Sequence, residues 1–141
     1  MTLRLDVLQA VDAAVSAALP AGTGYHINAA SLDARAGEFP AVVRMTGADQ
    51  IQAAGTGVWQ RTQTVIFLLA LGPIDPAQQD AEFDAAREMV RTALLEDADL
   101  WTLISDIREA GADAPVEDDQ RGRQRYAVQA VEYAIDIHTD E

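Results

Sequence analysis

The groups best suited to proton transfer or metal ligation are two histidines, His26 and His138. Each lies in a predicted strand among apolar neighbours, away from any nucleophile motif that would make a triad of it. The three serines, Ser16, Ser31 and Ser105, sit in neither a G-x-S-x-G elbow nor an S-x-x-K pattern, and read as ordinary helix or loop hydroxyls. Gly22-Thr23-Gly24 and Gly55-Thr56-Gly57 lack the third glycine or the G-K-[ST] ending that turns a loop into an anion cradle; they read as flexible turns. Glu96-Asp97-Ala98-Asp99 and Glu117-Asp118-Asp119 offer the oxygens that calcium or magnesium prefers, without EF-hand spacing to converge them. They read as solvated acidic segments. Carboxylate pairs are plentiful, but nothing selects one as a raised-pKa acid. These residues predict a chain that is not an enzyme and has no catalytic, metal or cofactor site.

Composition narrows the function further. At 141 residues the chain is long enough for one proper hydrophobic core and short for two, so residues 1–141 are expected to form a single domain. The chain has no cysteine, which excludes disulfides, thiolate metal sites and a thiol nucleophile. All ten basic residues are arginine, so a P-loop lysine, Schiff-base chemistry and an amine general base are excluded too. A net charge of −13 repels a phosphate backbone, making free nucleic acid an unsuitable partner. No run of about 18 apolar residues suggests a membrane span, and the N-terminus lacks a signal-type pattern; the protein is expected to stay where it is made.

One local feature stands out against this acidity. Arg121, Arg123 and Arg125 form a cationic island directly after Glu117, Asp118 and Asp119. A planar guanidinium pairs well with carboxylates at an interface, and opposite patches on one surface favour head-to-tail contact between copies. The alternative is a solvated loop whose charges neutralise one another locally. These six residues are the candidate partner-binding set.

The elements that must position them follow from periodicity. Leu8, Val11, Val15, Ala18 and Leu19 recur at helical spacing within Thr2 to Leu19, with Thr2 as a cap and Pro20-Ala21-Gly22 as the stop. Tyr25 to Asn28 is a short predicted strand. Phe39-Pro40 followed by Ala41 to Met45 starts another, and Gly47 to Gly57 reads as a loop or mobile hairpin tip. Trp59 to Leu71 is the best core strand, ended by Pro73 and Pro76. A second helix follows with Phe83, Ala86, Val90, Ala93 and Leu94 as its buried stripe, and Asp80, Glu82 and Asp84 in its N-terminal turn. Leu100 to Gly111 fits helix or strand. Val131, Tyr133, Ile135 and Ile137 alternate with Glu132, Ala134, Asp136 and His138 as a half-exposed closing strand. The economical fold is α+β, a two-layer sandwich with a mainly antiparallel sheet against two principal helices.

This order of elements, with the patterns FPAVVRMTG and QRYAVQAVEYAIDIHT, resembles the phage tail terminator family, also called tail-completion or minor tail proteins. The resemblance spans nearly the whole chain. It implies a virion subunit of the tail or neck, made in the host bacterial cytoplasm. Such a subunit forms a homo-hexameric ring that caps the tail tube, stops its polymerisation and joins it to the head. The partners implied are further copies of the chain, the tail-tube protein and head–tail connector proteins. Another neck, head-completion or tail-tube subunit is the nearest alternative. The charge alone suggests a third, an acidic adaptor or inhibitor of a basic partner. Reversing Arg121, Arg123 and Arg125 to glutamate is expected to weaken self-association more than stability. Sedimentation showing undiminished assembly of that variant would exclude the docking role.

Overall fold

In the computed structural model, residues 4–28, 40–55, 58–72, 76–119 and 125–137 are described. Helix α1 spans Arg4–Ala18 and buries Leu8, Val11 and Val15 as expected, together with Val7 and Ala14, while Leu19 just beyond it packs partly buried against the core. Ala18 is exposed, and Thr2 lies outside the described residues. The chain then reverses through a turn in which the Thr23 N–H donates to the Pro20 carbonyl at 3.1 Å. Gly22 takes φ 89° in that turn, a conformation open to glycine at little cost.

Strands β1 (Gly24–Ile27), β2 (Ala41–Gly55) and β3 (Val58–Leu71) follow. The expectation of a loop or mobile hairpin tip over Gly47 to Gly57 is corrected for residues 47–55: β2 continues to Gly55 and pairs antiparallel with β3 from Ala41↔Ala70 out to Gly55↔Val58, while residues 56 and 57 lie outside the described residues. Backbone pairing holds this stretch in a strand although it contributes no apolar run. Helix α2, Pro76–Glu96, begins four residues before Asp80. A proline fits the first helical position because its missing N–H has no partner there in any case. The first turn consequently contains no acid, and Asp80, Glu82 and Asp84 lie further along. Phe83, Val90 and Leu94 are buried as expected, with Ala86 and Ala93 packed beside them.

The ambiguous stretch after α2 is both helix and strand. Asp97 caps the short α3 (Ala98–Trp101), accepting from the Leu100 N–H at 2.9 Å, and β4 then runs Ile104–Ala112. Trp101 Nε1 donates to the Leu94 carbonyl at 3.1 Å, closing one of the orphan carbonyls at the end of α2. Strands β5 (Val116–Asp119) and β6 (Arg125–Ile137) complete the chain.

The six strands form one sheet in the order β1-β2-β3-β6-β4, with β5 also on β6. All pairs are antiparallel except β1 with β2. The closing strand β6 is thus central. Val65, Phe67, Leu69 and Leu71 of β3 join Val131, Tyr133, Ile135 and Ile137 of β6 in one cluster with the buried residues of all three helices. This is an α+β two-layer sandwich. Phe67 and Tyr133 meet edge to face at 5.8 Å and 78°, an arrangement that aligns ring edge with ring face. Phe67→Ala removes this contact and opens a cavity at a fully buried position; a loss of about 3–5 kcal/mol is expected, read as a lower urea midpoint.

Candidate assembly surface

The β2–β3 pair leaves the sandwich as an arm, and its root is built from buried polar groups. Arg44 on β2 is 4% exposed and grips Asp12 of α1 through two bonds, Nε to Oδ1 at 2.9 Å and a terminal nitrogen to Oδ2 at 2.7 Å. The second terminal nitrogen donates to Thr46 Oγ1 at 2.7 Å, and the Tyr25 hydroxyl of β1 donates to Asp12 Oδ1. Burial, then the Asp12 carboxylate, pushes the Tyr25 hydroxyl far above its ordinary value. Hydrogen bonding to Asp12 raises Arg44 despite its burial. Asn28, at φ 48°, locks the end of β1 to β2: its Oδ1 accepts from the Thr46 N–H at 2.9 Å, and its Nδ2 donates to Thr46 Oγ1 at 3.2 Å. One helix and two strands thus share a single bidentate ion pair, of a kind that costs about 3–5 kcal/mol when one partner alone is removed.

Immediately beyond, the register shifts between Thr46 and Asp49. Gly47 and Ala48 stand opposite Thr64, two residues against one, as in a β-bulge that bends a strand. A Cβ on Gly47 would lie 3.0 Å from Thr64, so only glycine fits without displacement. The fully buried Gln63 supplies the donor for the disrupted ladder, with Nε2 at 3.1 Å from the Gly47 carbonyl and 3.3 Å from that of Ala48. Its Oε1 accepts from Arg4 of α1 at 3.2 Å. Arg61 holds Asp49 in a bidentate pair at 2.9 and 2.6 Å, which keeps the Asp49 carboxyl below its usual range despite partial burial.

Past this root the ribbon continues without helix cover. In register, Ile51 faces Arg61 and Ala53 faces Trp59, so Ile51, Ala53, Trp59 and Arg61 share one face, with Ile51 and Trp59 as diagonal neighbours. Ile51 is 59% exposed and Trp59 57%. Arg61 still pairs with Ile137 of β6, so among the described residues the ribbon is two-stranded from Gln52↔Gln60 outward, an arrangement with little stability of its own.

On the opposite face of the root, Asp136 of β6 is 6% exposed. It accepts from Thr62 Oγ1 at 2.6 Å and from Arg108 at 2.8 Å. Burial would raise its pKa, but the Arg108 and Thr62 hydrogen bonds outweigh it and hold the carboxyl below its ordinary value. By contrast, the Tyr133 hydroxyl has no hydrogen-bond partner among the described residues and is pushed up to about 12, chiefly by burial.

Of the residues expected to bind partners, those described lie elsewhere, on β5 and at the start of β6. Glu117, Asp118 and Asp119 lie on β5 and Arg125 opens β6. The backbone register sets Asp119 opposite Arg125 and Glu117 opposite Ala127. Arg121 and Arg123 lie outside the described residues. Sequence reasoning placed no site on the arm. The available signal was its period of two, Asp49, Ile51 and Ala53 against Gln50 and Gln52, which the small residues Gly47, Ala48 and Gly55 obscure.

Three of the residues first weighed for chemistry make structural contacts. Ser105 donates to the Asp136 carbonyl at 3.3 Å, Ser16 to that of Ala13 at 3.4 Å, and Asp97 caps α3; Ser31 and His138 lie outside the described residues. Among the described residues no group of three or more His, Asp or Glu is arranged to hold a metal ion, and no helix is long and apolar enough to cross a membrane.

No protein-family model matches the chain, and no curated protein does. Among solved structures, it is similar to a chain of one described as the virion of a native gene transfer agent particle. That superposition covers 97% of this chain and 96% of the other, with 13% identity and a TM-score of 0.40. At that score the likeness is one of outline and transfers no role.

The lowered pKa of Asp136 fixes the sign of an acid effect. Its contribution to stability is fully present above the ordinary carboxylate value of about 4 and is lost as pH falls through the lower folded value. Asp136→Asn should cost about 1–2 kcal/mol at neutral pH, discounted because Arg108 is half-exposed. It should also flatten the loss of stability on acidification, as followed by urea midpoints from neutral pH downward.

Proposed function

We propose that this chain is a virion structural protein of the tail-terminator type. Its copies assemble into a six-membered ring that caps the tail tube, stops its growth and meets the head–tail connector. In this reading it is not an enzyme, and the tail-tube protein is its second partner. The observation that carries the assembly part is the arm, a ribbon firmly rooted at Arg44, Gln63 and Asp49 that presents Ile51 and Trp59 to solvent. The terminator assignment itself comes from the resemblance in element order.

Rigidity at the root matters because an ordered contact element loses less conformational entropy on binding. Burying the two exposed side chains would supply about 2–4 kcal/mol, a useful increment for a subunit whose net charge of −13 opposes association. The arm itself carries little of that charge. Between positions 46 and 62 the only ionisable side chains are Asp49 and Arg61, which pair with each other, so contact there avoids like-charge repulsion.

The test is averaged electron microscopy of the purified chain, at high concentration with magnesium, beside the Ile51→Ser, Trp59→Ser double variant. Closed six-fold rings from the parent and monomers from the variant, with melting temperatures within about 2 °C as surface changes allow, are expected. Long filaments from the parent would assign it to the tube instead. A monomer that binds a basic protein one-to-one, with affinity lost in salt, would assign it to the adaptor class.

A further inference from the structure

The arm needs a receptor, and the same two strands lead to a suitable one. At the far end of β2 and β3 from the arm tip, Leu19, Pro40, Leu71, Ala85 and Met89 line an apolar groove of about 150 Å³ between the ends of α1, α2 and the sheet. Cavities of roughly this size accept a benzene-sized group, so the groove matches the six-membered ring of a tryptophan or the side chain of an isoleucine. Ala41 and Leu71 line the groove, while Gly55 pairs with Val58 at the tip. Knob and hole are therefore separated by roughly 40 Å of strand at about 3.4 Å per residue, too far for the arm to fill the groove of its own chain.

Charge favours the same pairing. The arm is neutral as a whole, because Arg61 and Asp49, on the face of Ile51 and Trp59, pair with each other. Among the described residues lining the groove the charged one is Glu82. Docking thus brings a locally neutral apolar knob to an apolar hole, a contact that adds little of the repulsion a net charge of −13 otherwise imposes. Because knob and hole are different patches of one surface, their contact is head-to-tail, which propagates until it closes into a ring.

Resting on the self-assembly proposed above, we infer that the groove between α1, α2 and the β2–β3 ends receives the Ile51 and Trp59 arm of a second copy of this chain. The occupant is another copy of the chain, and the contact is heterologous.

The chain's lack of cysteine makes the test direct. Ala53→Cys places a thiol on the knob face and Ala85→Cys places one at the groove, both at exposed positions. Mixing the two single variants under mild oxidation, or with a short bis-maleimide, should give a cross-linked dimer containing one of each. A chain bearing both substitutions should give a ladder extending beyond the dimer. Ala85→Trp, which fills the groove and leaves the arm intact, should abolish the assembled species and keep the melting temperature. Assembly that persists while Ala53→Cys links only to itself, or to nothing, overturns the groove as receptor and leaves self-assembly standing. A ladder that stops at the dimer overturns the head-to-tail order. Monomers under all conditions with no cross-linked product overturn both the receptor and the assembly on which it rests.

Discussion

A strand and a helix of equal residue count have very different lengths, and the rest of this architecture depends on that mismatch. Strand β2 and helix α1 contain 15 residues each. At about 3.3 Å per residue the strand spans roughly 50 Å, whereas the helix at 1.5 Å per residue spans roughly 22 Å. Helix α2, at 21 residues, reaches only about 31 Å. The helical layer cannot cover the full β2–β3 pair. Its coverage falls on the inner half, where Val65, Phe67 and Leu69 are buried; pairing with β6 reaches further, out to Arg61, and beyond it Ile51 and Trp59 stand exposed.

The boundary between the halves is where the buried polar groups gather. Asp12, Arg44 and Tyr25 join α1 to two strands, and a step further out Gln63 satisfies the carbonyls freed by the bulge at Gly47 and Ala48. A bulge without Gln63 would leave those partly buried carbonyls without this donor, a cost of up to a lost hydrogen bond each. On the other face, Thr62 and Arg108 hold Asp136. These contacts have a joint consequence: the arm departs in a defined direction from a fixed base, which suits an element that must find a complementary surface. The apolar stripes of the helices determine the core, and the polar root determines where the uncovered ribbon points.

Charge and shape divide the work of association. A strongly acidic surface keeps copies apart, so contact is favoured where charge is locally cancelled. Asp49 with Arg61 achieves this on the arm by a short bidentate pair. The backbone register sets Asp119 of β5 opposite Arg125 of β6, on strands separate from the apolar arm of β2 and β3.

By itself the sequence determined the layers. The stripes Leu8, Val11, Val15 and Phe83, Val90, Leu94, the run ending at Leu71 and the alternation from Val131 to Ile137 specify two amphipathic helices on one face of a sheet, because each period leaves an apolar face that must be buried. It also excluded thiol and lysine chemistry outright, since those residues are absent. Only the tertiary structure decided that Leu100 to Gly111 is a capped turn of helix followed by a strand, because that stretch fits both periods and the choice depends on Asp97 capping α3 and β6 offering an edge. Likewise, only the fold turned Arg44 from a charge in a valine strand into the buried partner of Asp12, 32 residues away. The same holds for Gly47 to Gly55, which became half of a projecting ribbon. Strand pairing and ion pairing between distant residues leave no local period, so they become visible only when the chain brings their partners together.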